Sequence, residues 1–305
     1  MTEYAIRVLL ATIPEFVDCK LDDVAIQPLA GLTNRSYKLS LASKQYVLRV
    51  PGVGTEDYID RRQEFCNASI AAELGITPDI LYFDPVSGVQ LSRFVADSMA
   101  LTRASLQNLA TLEKVSGLLR RLHNCKRRFL GCMEAFPILD HYISLIDSES
   151  RVSIELCALR KEVEAARTVL TPSTMAWRPC HIDPTPANFL LSDRADGNCL
   201  FLLDWEYSAM SEALWDLGCL AIEANFNEAQ DSALLEFYYG AATPPLMSRL
   251  TLYKILLNIV SAAWGAVQLR NNHPDEDLST LVANRLKSAR TLLDNVDFVY
   301  HVKHA

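Results

Sequence analysis

Asp183, Asn188 and Asp204 are spaced to do chemistry together. They lie in His181-Ile182-Asp183-Pro184-Thr185-Pro186-Ala187-Asn188 and, sixteen positions after Asn188, in Phe201-Leu202-Leu203-Asp204-Trp205-Glu206. Transfer of a phosphoryl group from ATP needs one carboxylate to orient the attacking hydroxyl and accept its proton, and further oxygen ligands to hold Mg2+ against the phosphates. Asp183 suits the first role, Asn188 and Asp204 the second. His-x-Asp recurs by chance and an Asp ahead of a helix is commonly an N-cap, so neither half carries the reading alone. The order, the separation and the apolar strand between the halves carry it.

The elements that must position this set can be read from periodicity. Residues 189–191 and 200–203 form two short apolar strands around the turn-rich segment 192–198, a hairpin that brings Asn188 and Asp204 to the same end. Upstream, residues 4–16 have apolar side chains at helical spacing, with Pro14 closing the helix. Strands follow at 24–29, 36–41 and 45–50, then a helix from 59 to about 74, then strands at 80–83 and 89–94 joined by a turn at 84–88. The expectation is a five-stranded antiparallel sheet with one inserted helix. Beyond about residue 97 the period is helical, at 105–124, 153–169, 211–225, 230–240, 246–270 and 277–296.

Composition narrows the class. With 305 residues, half of them hydrophobic, the chain can bury a substantial core. A net charge of −8 provides no electrostatic footprint for nucleic acid, and the one basic cluster, Lys126-Arg127-Arg128, is short. Eight cysteines without a Cys-x-x-Cys pair indicate neither a zinc site nor a disulfide framework. The N-terminus lacks the basic start and apolar stretch of a signal peptide, and no run of about eighteen apolar residues suggests a membrane span. A soluble, cytoplasmic protein is expected.

The Asp-Asn-Asp set resembles the catalytic loop and metal-binding Asp of the choline kinase and aminoglycoside phosphotransferase superfamily. Asp204-Trp205-Glu206-Tyr207-Ser208, followed by Asp216, Gly218 and Glu223, resembles the segment that sets choline and ethanolamine kinases, including the bacterial LicA-like branch, apart within it. The resemblance implies a two-lobe, protein-kinase-like α+β fold. Residues 1–96 would be the nucleotide-binding lobe and 97–305 the catalytic and acceptor-binding lobe. It further implies that the Gly31-x-Thr33-Asn34 turn covers the phosphates, and that Arg49, ending the third strand and held by Glu64 rather than Glu56, neutralises their charge. Segment 92–97 would be the adenine-binding hinge. Glu223 would face the substrate cation, Tyr207 and Trp264 would wall it, and Asp216 would brace the catalytic loop. Each aromatic contact with an ammonium contributes roughly 0.5–2 kcal/mol.

ATP and Mg2+ are therefore the implied cofactors and a small amino alcohol the implied substrate, choline first and ethanolamine next. The sequence departs from the pattern at Ser261, where many choline kinases place a second tryptophan three residues before the one at Trp264; Phe226, Tyr238 or Tyr253 are the aromatic candidates to replace it. A thiamine or aminoglycoside kinase is the alternative within the enzyme class, and a pseudokinase-like nucleotide-binding module the alternative outside it. His123 and His181 read as packing and loop-holding residues rather than proton carriers. Oligomeric state is not encoded in these motifs.

Overall fold

The computed structural model describes residues 1–29, 34–52, 55, 59–171, 176–194, 197–270 and 276–305. In chain order the elements are α1 (Glu3–Leu10), β1 (Ala25–Leu29), β2 (Arg35–Leu41), β3 (Lys44–Val50), α2 (Arg61–Glu73), β4 (Ile80–Phe83), β5 (Gln90–Arg93), β6 (Ser98–Ala100), α3 (Arg103–Leu106), α4 (Leu109–His123), α5 (Ala135–Ser144), α6 (Arg151–Glu162), α7 (Arg167–Leu170) and β7 (Arg178–Cys180). The hairpin strands β8 (Phe189–Arg194) and β9 (Gly197–Leu202) come next. After them come β10 (Ala209–Ser211), α8 (Ala213–Glu223), α9 (Glu228–Tyr239), α10 (Pro244–Arg270), α11 (Glu276–Asn295) and α12 (Phe298–His304). They divide into two compact units, Met1–Ala100 with Asn188–Ser208, and Leu101–Ala187 with Ala209–Ala305. Hairpin β8–β9 belongs with the first unit because β8 pairs with β6.

In the first unit, five antiparallel strands are ordered β1-β2-β3-β5-β4. Side-chain alternation puts Tyr46, Leu48 and Val50 of β3 on one face, where they join Tyr37, Leu39 and Leu91 in a core closed by Ile6 and Leu10 of α1 and by Ile13 and Phe16. The same alternation turns Arg49 to the opposite face. The expected helix over 4–16 is interrupted: α1 stops at Leu10, and Pro14–Phe16 is a separate 3-10 turn. The residue before a proline is driven out of the helical region, and Ile13 is extended at φ −92°, ψ 125°.

Helix α2 starts at Asp60, whose carboxylate accepts from the backbone N–H groups of Arg62 and Gln63 at 3.0 and 3.1 Å. Its buried stripe is polar at the N-terminal end, Arg61, Glu64 and Asn67, and small or apolar further on.

The second unit is helical around α10, whose 27 residues pack against α5, α8, α11 and α12. By length and apolarity α10 would pass for a membrane span, but 83% of its most apolar window is buried inside the protein, so core packing accounts for it. The expected helix over 105–124 is divided into α3 and α4, because Asn108 caps a new start by accepting from Ala110 N–H (2.9 Å) and Thr111 N–H (3.2 Å). The expected 153–169 helix is likewise divided, with a 3-10 turn at Glu164–Ala166 between α6 and α7. Helices α5 and α12 and the pair β7–β10 have no counterpart in the sequence reading. Helix α5 carries Pro137, which is tolerated because it lies in the first turn.

Gly88, in the β4–β5 turn, has φ +73°, and a Cβ there would lie 2.7 Å from Arg61 Cδ and 2.8 Å from Pro51 Cγ. Gly75 has φ +64° but open space around it. Both left-handed conformations disfavour a side chain by about 1 kcal/mol, so Gly75→Ala is expected to cost about that much. Gly88→Ala is expected to cost about 2–3 kcal/mol, because overpacking against Arg61 is added. Urea unfolding of the two variants side by side measures the difference.

Candidate active site

In the first unit, five charged side chains and one amide meet. Arg49 donates through Nη2 to Glu64 and through Nη1 to Asp204 at 2.7 Å. Arg61 donates to the other oxygen of Glu64 at 2.7 Å, to Glu206 at 3.3 Å and to Thr55 at 2.6 Å. Asn34 directs its amide N–H groups at Asp204 (3.4 and 3.5 Å) and Glu206 (3.2 Å). Helix spacing explains the arrangement, since Arg61 and Glu64 are three residues apart and share one face of α2.

Burial works to lower the Arg49 pKa, but Glu64, Asp204 and Glu206 together outweigh it and hold the group above its usual value. The guanidinium is a permanent charge. Glu206 goes the other way: burial first, and then the Asp204 charge, push it up to about 7 against the pull of Arg49 and Asn34.

Asn188 ends a short 3-10 turn and passes directly into β8. Its carbonyl accepts from Leu203 N–H at 2.8 Å, so the hairpin holds Asn188 beside the backbone that leads into Asp204. Asp204 adopts φ +66°, a left-handed conformation that Asp tolerates better than most residues. The turn beyond it is fixed by Ser208 Oγ donating to Trp205 O at 2.6 Å, and by Asn67 Nδ2 and Gln63 Nε2 donating to Ser208 O at 2.8 and 2.9 Å. Tyr207 lies half-buried in that turn.

The donor set suits a hard cation. Asp204 keeps a third of its side chain exposed, and among the described residues its Oδ2 has no donor nearer than Asn34 at 3.5 Å. Asn34 Oδ1 is a buried acceptor without a hydrogen-bond partner among the described residues. Carboxylate and amide oxygens of this kind are what magnesium takes. Of the expected nucleotide turn, Asn34 is described, while Gly31 and Thr33 lie outside the described residues, as does Glu56.

In the second unit, Asp183 follows Ile182, a β-branched residue at φ +75°. That conformation costs roughly 1–3 kcal/mol and persists only where the surroundings over-determine it. Two consecutive residues of α8 do so. The carboxylate of Asp216 accepts from the backbone N–H groups of His181 and Ile182, both at 2.8 Å, and Trp215 Nε1 donates to Ile182 O at 2.9 Å. Asp216 is fully buried and also bonds His123 Nε2 at 2.9 Å, while His123 Nδ1 lies 2.7 Å from the Tyr238 hydroxyl. With Nε2 donating to Asp216 and Nδ1 accepting from the Tyr238 hydroxyl, every one of these groups has a partner. His123, Cys180 and Asp216 place ligand-type atoms within 4.8 Å of one another. Both imidazole nitrogens are engaged and Cys180 Sγ donates to Glu212 O, which makes the cluster a hydrogen-bond network.

Glu223 ends the same helix, two turns beyond Asp216, and is ion-paired with Arg285 of α11. Trp264 is half-buried on α10, three residues past Ser261. Sequence reasoning did not find Arg61, Asn67 or Arg285, gave Glu206 no role of its own, and named Tyr238 only as an aromatic candidate, not as the partner of His123. For α2 the signal was available: polar residues at 61, 64 and 67 followed by Ala68 and Ala71 trace a helical face with no exposed purpose.

Residues 26–238 match the choline/ethanolamine kinase family profile. The structure is similar to a choline/ethanolamine kinase family protein from Mesorhizobium loti, with TM-score 0.84 and 28% identity over 100% of this chain and 99% of that one. It is also similar to the choline kinase LicA from Streptococcus pneumoniae, with TM-score 0.78 and 25% identity over 96% and 99%. In sequence, it is 27% identical over 279 residues to Protein LicA of Haemophilus influenzae, spanning 87% of this chain and 100% of the relative. The fold is kinase-like, a small antiparallel sheet with a large helical portion.

Removing one member of a buried charge network strands its partners and costs about 3–5 kcal/mol, whereas an exposed pair contributes about 0–1 kcal/mol. Arg61→Met is therefore expected to lower unfolding stability by about 3 kcal/mol. Arg93→Met, which removes the exposed 3.1 Å pair with Asp79, is expected to change it by less than about 0.5 kcal/mol. Guanidinium chloride unfolding of both variants provides the comparison.

Proposed function

Because the chain belongs to the choline/ethanolamine kinase family, we propose that it transfers the γ-phosphoryl group of ATP to the hydroxyl of a small amino alcohol, choline or ethanolamine. It is a kinase-like phosphotransferase acting on an alcohol. The observation that carries the finer reading is the double anchorage of the loop before Asp183, through Asp216 and Trp215. A carboxylate that must orient a hydroxyl needs a rigid backbone, since a misplacement of about 1 Å costs about 100-fold in rate.

In this reading Asp183 hydrogen-bonds the acceptor hydroxyl and takes its proton at a carboxylate oxygen as the oxygen attacks phosphorus. Arg49, held by Glu64, meets the phosphates with a fixed positive charge. Asn188 and Asp204 would hold magnesium, which neutralises charge on the phosphates when bound. Glu223, Tyr207 and Trp264 receive the acceptor's ammonium. A cytoplasmic location, where ATP and amino alcohols meet, belongs to the same reading.

Steady-state ADP release with magnesium and ATP across choline, ethanolamine, thiamine and an aminoglycoside tests the assignment. Turnover of an amino alcohol is expected, with Asp183→Ala abolishing it while nucleotide binding persists. Appreciable turnover by Asp183→Ala sinks the role given to that residue. Asp216→Asn sets an amide N–H against a backbone N–H and is expected to lower kcat about 100-fold with little change in the KM for ATP. Equal losses in kcat and nucleotide affinity would instead mean general unfolding.

A further inference from the structure

We propose that Arg285 sets the acceptor class of this protein, favouring a primary ammonium over a quaternary one; the inference rests on the amino-alcohol reading above, in which Glu223 receives the acceptor's cation. Asp216, Cys219 and Glu223 fall at i, i+3 and i+7 on α8 and so share one face of the helix. The Cys219 thiol reports what surrounds that face. Burial first, then the carboxylates of Asp183, Glu223 and Asp216, push it well above its usual value, and the Arg285 guanidinium opposes them. Asp183, Glu223 and Arg285 therefore act in one neighbourhood.

Within it, Glu223 is not a free anion. Arg285 reaches across from α11 and donates through Nη2 to Glu223 Oε1. It is only 7% exposed, its Nη1 lies 3.5 Å from Asn258 Oδ1, and its Nε has no hydrogen-bond partner among the described residues. Asn258 is itself fixed by donating to Lys254 O at 2.7 Å. Arg103 bonds the Glu223 backbone carbonyl at 2.7 Å and leaves the carboxylate alone. Among the described residues, no donor reaches Glu223 Oε2, and the side chain is 22% exposed. One carboxylate oxygen faces a permanent guanidinium charge and the other is open.

That arrangement treats the two kinds of cation differently. A quaternary ammonium has no N–H, so it depends on net negative charge and aromatic walls, and here the Glu223–Arg285 pair carries no net charge. A primary ammonium donates a directional, charge-assisted hydrogen bond to Oε2 whatever the net charge of the pair. Ser261 belongs to the same feature. It lies one turn beyond Asn258, and a helical side chain covers the turn N-terminal to its own Cα. An indole at 261 would cover Asn258 and contest the space of the guanidinium; a serine leaves that space to Arg285.

The test is kcat/KM for ethanolamine, N-methylethanolamine, N,N-dimethylethanolamine and choline, with the unaltered protein, Arg285→Met and Ser261→Trp. In the unaltered protein the values are expected to fall along the series, with ethanolamine above choline by about tenfold or more, the worth of one hydrogen bond to a charged group. Arg285→Met and Ser261→Trp are each expected to flatten or reverse that order. Choline equal to or above ethanolamine in the unaltered protein overturns the inference and leaves the amino-alcohol reading standing. An order unchanged in a folded variant does the same. Turnover of none of the four overturns both. Should Arg285→Met fail to fold, the unaltered protein and Ser261→Trp decide.

Discussion

A carboxylate with no exposure to solvent, Asp216, stands in the first turn of α8, and the loop that carries Asp183 depends on it. Burying an ionised carboxylate is costly unless donors replace its water. Here two backbone N–H groups and an imidazole do so, and the helix N-terminus adds a favourable dipole. The dependence runs both ways. Ile182 could not hold a positive φ on its own, because a β-branched side chain crowds the backbone there. It is held because Asp216 takes its N–H while the neighbouring Trp215 takes its C=O. The flanking Leu214, Leu217 and Leu220 are buried in the core, so the loop inherits the rigidity of a packed helix.

The first unit meets a related demand with charge instead of backbone geometry. Arg49 stands between Glu64 and Asp204, and Arg61 between Glu64 and Glu206. Three acids to two bases is an imbalance, and it falls on Glu206, which is pushed up to about 7, by burial foremost. Of the three, Asp204 is the acid with solvent access. Asp204 thus keeps a solvent-facing carboxylate, while Glu64 holds two arginines in place. A left-handed backbone at Asp204 is a smaller strain than at Ile182, which fits the lighter anchorage it receives.

The legibility of these features follows from their range. The five strands and the β8–β9 hairpin were readable because alternation and turn composition are local. Helix ends were less so: Asn108 restarting a helix, or Ile13 leaving one before Pro14, depends on single-residue backbone choices inside a continuous apolar period. The Asp-Asn-Asp set was visible because its spacing is short and its residue types are few. The roles of Arg61, Tyr238 and Arg285 were not, since each acts through a partner far along the chain: Glu206, His123 and Glu223. Spacing cannot reveal a pairing of that kind. Ser261 was noticed as a missing tryptophan, but the pairing of Arg285 with Glu223 could be learned only from the packing of α11 against α10.

Helix α10 shows why such pairings are not incidental. Its sequence is apolar nearly all round, which leaves the rotation of a buried helix weakly specified. Lys254, Asn258 and Ser261 break that symmetry at spacings of four and three, along one stripe. Lys254 is buried, yet satisfied by Asp231 Oδ2 at 2.5 Å and by Phe226 O at 3.0 Å. Turning the helix by one residue, about 100°, would take the ammonium away from both, a loss of several kcal/mol for an unpaired buried charge. That penalty selects a single rotation. With it, Asn258 is delivered to Arg285 and Ser261 to the same stripe. The polar stripe therefore fixes, through packing, the surroundings of the arginine that pairs with Glu223, although Lys254 itself bonds neither Glu223 nor Arg285.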